Sequence, residues 1–157
     1  MKKIGTYTVR GSIFDPNSGL LDGVEEKIQL FDGRFDTAYK IVDFKIATGD
    51  ASDPDLTGRV ATEPNLDKAI QHFWNWSDQR QIAWATSNGS TDVFSYDFQN
   101  YIDEDNLIVE DCYVSFRFVS SNTNRANYMI TFEKYDISDS LGVLTMIRNR
   151  SQGDTTE

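Results

Sequence analysis

The chain has 157 residues, ordinary for one domain, and a formal net charge of −10. That charge repels phosphate, which argues against direct nucleic-acid binding by the acidic body and against anionic membrane surfaces. Cys112 is the one cysteine, so no internal disulfide can form, and 13% aromatic residues (ten Phe, seven Tyr, three Trp) favour pleated, half-buried strands.

Alternation of apolar and polar residues marks the strands in chain order. Residues 6–14 read as the first, with Tyr7, Val9 and Ile13 as apolar positions. Asp15-Pro16-Asn17-Ser18-Gly19 is a turn, and 25–31 is a short second strand closed by Asp32-Gly33. Residues 38–47 form the clearest early strand, with Val42, Phe44 and Ile46 expected on one face and Asp43 and Lys45 on the other. A short strand is expected over 56–62, and 64–71 has the look of a short helical turn. Residues 81–86 form a strand carrying Trp84, Asn88-Gly89 signals a hairpin, and 91–98 returns. A long strand over 107–119 is expected to pair antiparallel with 126–135, through a turn at 122–124. In the latter strand Tyr128, Ile130 and Phe132 fall on one face, Met129, Thr131 and Glu133 on the other. The β-branched Val143, Thr145 and Ile147, with Gly142, make 138–150 read as a strand or arm rather than a helix.

The fold class expected is therefore all-β: an antiparallel two-sheet sandwich, jelly-roll-like, with a short helical turn and a C-terminal arm or strand. Residues 1–157 read as a single domain, with 138–157 as the arm. A chain of this length can bury roughly 70% of its unfolded surface, so it needs no metal or disulfide to fold. Met1-Lys2-Lys3-Ile4-Gly5-Thr6 has no apolar run behind its lysines, so no secretory signal is expected, and no stretch approaches the ~20 apolar residues of a membrane span.

Catalysis finds little to work with. His72 is the one histidine, no Gly-x-Ser-x-Gly is present, and zinc would lack ligands, so no enzyme is expected. Carboxylates are plentiful, but nothing in their spacing singles out a glycosidase pair. Cys112 lies in an apolar alternating run beside Glu110 and Asp111, which suits a packing residue and not a reactive thiol. Calcium is the one cofactor with a candidate site. Asp15, Asn17 and Asp22 place oxygens along a bend at Gly19, and Glu26 stands twelfth when counted from Asp15, as in a calcium loop. The same residues equally suit a plain Asp-Pro turn. The acidic runs at Asp50, Asp53 and Asp55 and at Asp103, Glu104 and Asp105 read as solvated loops.

Two surfaces remain. Trp74, Trp76 and Trp84 are close in sequence, with Asn75, Asp78, Gln79 and Arg80 among them, a mixture that suits stacking on a sugar ring or packing in a core or interface. Asn75-Trp76-Ser77 and Asn88-Gly89-Ser90 match the glycosylation pattern, which without a secretory signal carries no weight. The apolar stretch Leu141, Val143, Leu144, Met146 and Ile147, followed by Arg148 and Arg150, looks like an arm that neighbouring copies could exchange as an added strand.

At 28–35, at 82–85, and above all at 132–142 and 146–152, where the chain reads Phe132-Glu133-Lys134-Tyr135-Asp136-Ile137 and Met146-Ile147-Arg148-Asn149-Arg150, it resembles small β-rich proteins of uncultured marine bacterial viruses. The resemblance implies a virion-associated protein and carries over no binding residues. Together these readings lead to a virion structural protein, in capsid shell, decoration or tail. It would be made in the host cytoplasm, with copies of itself and other virion proteins as partners. The alternative is a carbohydrate- or receptor-binding sandwich module.

Overall fold

A computed structural model describes residues 1–14, 24–49, 55–69, 71–89, 96–118 and 125–138. Eight strands form: β1 (Lys2–Ile13), β2 (Val24–Ile28), β3 (Thr37–Thr48), β4 (Leu56–Ala61), β5 (Gln81–Gly89), β6 (Tyr96–Ile102), β7 (Cys112–Phe118) and β8 (Ala126–Asp136). They make two antiparallel sheets, β1-β8-β3 and β2-β7-β4-β5-β6, packed face to face. The all-β, two-sheet expectation is met.

The order of pairing has a simple origin. β1 pairs with β8, β2 with β7 and β4 with β5, as they would if the first half of the chain lay back along the second as one long ribbon. Winding that ribbon puts alternate pairs in opposite sheets, so β3 also meets β8 and β4 also meets β7. This is jelly-roll winding. It departs from the full pattern at one place, because β6 stays beside β5 and does not join β3. Side chains fill the gap on the free edge of β3. Asn100 Nδ2 on β6 donates to Phe44 O at 3.0 Å and to Asp43 Oδ1 at 3.1 Å. Buried Asn106 accepts from Ile41 N at 2.8 Å and donates to Ile41 O at 3.1 Å. Ile108 exchanges two backbone bonds with Tyr39.

The core follows the alternation of β8, where Tyr128, Ile130 and Phe132 face inward and Met129 outward, as expected. Opposite Tyr128, Gly11 of β1 leaves room for the phenol ring, into which a Cβ would run. On β3 the expected face is corrected. A bulge between Ile41 and Asp43 shifts the register, so Ile41, Phe44 and Ile46 are buried while Val42 is 39% exposed.

Three further expectations are revised. The stretch 107–119 is not one strand paired with 126–135: Ile108 serves the β3 edge, β7 begins at Cys112, and β7 and β8 lie in different sheets. Both strands carry an apolar inner face, and in opposite sheets those faces meet across the core, with the Phe116 and Tyr128 rings 5.9 Å apart. Asn88 and Gly89 do not make the hairpin turn. They pair with Asp97 and Tyr96 in the ladder, and the connection 90–95 lies outside the described residues. No helix occurs among the described residues, and 64–69 runs as bends and irregular chain. Asn65 adopts φ 61°, a left-handed backbone that ends any helix there. The expected C-terminal arm lies beyond Ser138, outside the described residues.

By register, β2, β4, β6 and β8 end where β3, β5 and β7 begin, so the connections 29–36, 62–80 and 103–111 share one end of the sandwich.

Candidate functional site

The site is built on the outer face of the five-stranded sheet. Arg59 of β4 lies opposite Trp84 of β5 and Ser115 of β7, pointing away from the core. An outward arginine belongs in water, yet Arg59 is only 1% exposed. The connection 62–80 folds back over it. Nη1 donates to Asp67 O at 2.8 Å and Phe73 O at 2.6 Å, and Nη2 to Leu66 O at 3.1 Å. The guanidinium carbon sits 4.5 Å above the Phe73 ring, a cation–π contact. Burial pushes the Arg59 pKa down, opposed by Glu25, Asp78 and Asp67, but guanidinium keeps its charge in proteins. Arg117 of β7 adds a bond to Lys68 O at 2.7 Å. Carbonyls that a helix over 64–71 would use internally are thus drawn to arginines on the sheet.

The second half of the connection is fixed by amide chemistry. Trp74 Nε1 donates to Gly58 O at 3.2 Å. Buried Gln81 Oε1 accepts from both Asn75 N and Trp84 Nε1 at 2.9 Å. Asn75 Oδ1 takes Ser77 N at 3.1 Å and Ser77 Oγ at 2.6 Å, a side-chain-made turn. Asp78 and Arg80 form a two-bonded pair at 2.8 Å each. Burial raises the Asp78 carboxyl, but Arg80 more than offsets this and holds it below the ordinary carboxylate range.

The turn lifts Trp76 into solvent. Its side chain is 62% exposed, yet its ring lies 5.6 Å from Trp84 and 5.6 Å from Tyr101, tilted 47° and 55°. Tyr101 pairs directly with Trp84 across β5 and β6, is 42% exposed, and meets Trp74 edge-on at 6.3 Å. Beside these rings opens a cleft of about 460 Å³, whose polar lining includes Asp78, Gln79, Gln81 and Asp103. That volume is in the usual range of small-molecule sites.

Of the three tryptophans singled out from sequence, Trp76 is therefore the one displayed. Trp84 is its buried base and Trp74 a half-buried buttress. Tyr101 lies outside the strand that the sequence pattern marks, which stops at 98, whereas β6 runs to Ile102; Asp103, read from sequence as part of a solvated acidic loop, lines the cleft. The other expected sites are not assembled here. Asp15, Asn17 and Asp22 lie outside the described residues, and Glu26 sits on β2, where its charge adds to burial in pushing the Tyr128 hydroxyl pKa up. Leu141, Val143, Leu144, Met146, Ile147, Arg148 and Arg150 also lie outside them. His72 Nδ1 is 2.6 Å from Asp67 Oδ2 on an exposed part of the connection. Cys112 is fully buried, and burial pushes its thiol pKa up, away from reactivity.

No protein-family model matches the chain, and no curated protein matches it in sequence. An aromatic face carries negative charge density and attracts the polarised C–H bonds of a sugar ring, while the rim offers amide and carboxylate partners for hydroxyl groups.

Proposed function

We propose that the chain is a jelly-roll recognition module that binds carbohydrate on the shelf made by Trp76 and Tyr101, without turning it over. The observation that carries this reading is the state of Trp76, which is exposed but stacked on two rings and held by a braced turn. A tryptophan kept for packing alone gains by being covered; one held rigid in water is already ordered for a partner, so binding costs little further entropy. Titrating the protein with oligosaccharides while recording tryptophan fluorescence tests it. Saturable quenching is expected, lost in Trp76→Ala and weakened in Tyr101→Phe. Because Trp76 is exposed, Trp76→Ala should lose no more than about 1 kcal/mol of stability. Binding that survives Trp76→Ala would refute the assignment.

A second reading has its own observation. β1 is an edge strand, and Tyr7, opposite Phe132 in the register, is 51% exposed, as is Ile4 on the same strand. Exposed apolar groups on a long edge strand suit coverage by copies, as in a virion structural protein in shell, decoration or tail. Jelly rolls serve both capsids and lectins, and a glycan-binding protein displayed on a particle would combine the readings. Sedimentation of the full chain against a chain lacking Leu141 to Glu157, which keeps the buried Ile137, checks this: loss of multimers with little loss of fold is expected, and equal assembly would remove the arm.

A further inference from the structure

We infer that the sugar taken by this cleft is neutral and presents an unbroken C–H face, and that anionic glycans are refused. The inference rests on the carbohydrate reading and deepens it.

Charge comes first. Among the described residues, those lining the cleft include two carboxylates, Asp78 and Asp103, and no lysine, arginine or histidine. The nearby cation, Arg80, is committed to acids: Nε and Nη2 bond Asp78 and Nη1 reaches Glu63 Oε2 at 3.4 Å. Asp103 is followed by exposed Glu104 and Asp105. With Asp78 paired to Arg80, a uronate or sulfate entering here would meet the acidic run Asp103, Glu104 and Asp105, with no guanidinium or ammonium among the described lining residues to receive it, and like-charge juxtaposition is strongly penalised. Sugar hydroxyls are the opposite case. They donate to carboxylates, and such charge-assisted bonds are shorter and stronger than neutral ones.

Shape comes second. The Trp76 and Tyr101 planes are tilted by 55°, so they form a corner rather than a flat strip. A pyranose seated on Trp76 must lay one face on the indole. All-equatorial hydroxyls leave that face as C–H bonds, whereas an axial hydroxyl would stand between ring and indole and lose its water without gaining a partner.

Three oligosaccharides of equal length and linkage separate these points by fluorescence titration of the full chain at low salt: a neutral gluco-configured chain, its glucuronate counterpart, and a neutral chain with one axial hydroxyl per ring. The neutral gluco chain should bind best, and the glucuronate should bind on the order of tenfold or more weakly. Asp103→Asn should narrow that gap, and added salt should narrow it too. Glucuronate binding as tightly as the glucoside would overturn the charge claim, and equal binding of the axial chain would overturn the shape claim, each leaving the carbohydrate reading intact. If no chain binds, the carbohydrate reading itself fails and this inference falls with it.

Discussion

Arg59 shows how one side chain can set a surface. It has no carboxylate within bonding distance among the described residues, and its charge is spent on three backbone carbonyls. Lysine keeps the charge but cannot reach three acceptors in a plane. Arg59→Lys should therefore strand buried carbonyls, at about 1–3 kcal/mol for each left unpaired. The expected result is a chain several degrees less stable whose near-ultraviolet circular dichroism, sensitive to the Trp76–Trp84 contact, weakens before global unfolding. An unchanged aromatic signal in Arg59→Lys would mean that the guanidinium does not position the shelf. In sequence, nothing distinguishes Arg59 from a solvated strand arginine. Its role depends on a connection that returns over the sheet, which is a tertiary fact.

At the scale of elements, local pattern and tertiary demand divide cleanly. β8 was legible because strict alternation matches a strand with one face in the core. The bulge in β3 was not, because Tyr39, Ile41, Val42, Phe44 and Ile46 allow two registers and only the partners on β8 choose between them. The stretch 64–71 favoured a helical turn locally and lost to the arginines of β4 and β7. The shelf was half legible: the tryptophan cluster announced itself, while Tyr101 became part of it only through cross-strand pairing with Trp84. The β3 edge offers a direct check. Asn106 stands in for a missing strand neighbour by bonding both the N–H and the C=O of Ile41. Asn106→Ala should cost about 2–3 kcal/mol and speed hydrogen exchange at the Ile41 amide more than at the Ile130 amide in the sheet interior. Equal acceleration at both would show that the bridge is not local.

For the whole molecule, acid is the telling stress. Asp111 is pushed up by burial, but the amides of Phe31 and Leu30 and the ammonium of Lys27 outweigh this and leave its carboxyl below the ordinary value. Asp78, held by Arg80, and Asp32, held chiefly by Lys134, are lowered too. Groups lowered in the folded state bind more protons when unfolded, so their stabilisation is complete above the unfolded value of 3.8 and is lost as pH falls through the folded values. Thermal midpoints should stay nearly level from about pH 5 to 7 and drop below about pH 4, and Asp111→Asn should reduce that drop. A chain equally stable at pH 3 and pH 6 would contradict this. Of these three acids Asp78 also lines the cleft, so there alone binding and acid tolerance share a group.

The most direct test of the central claim uses the three indole N–H groups. Those of Trp74 and Trp84 are bonded to Gly58 and Gln81, and that of Trp76 has no partner among the described residues. Nitrogen–proton correlation spectra recorded during titration with a neutral gluco-configured oligosaccharide should show the Trp76 indole peak moving to saturation while the other two move little. A Trp76 peak that stays fixed, or moves with protein concentration instead of with sugar, would contradict the account.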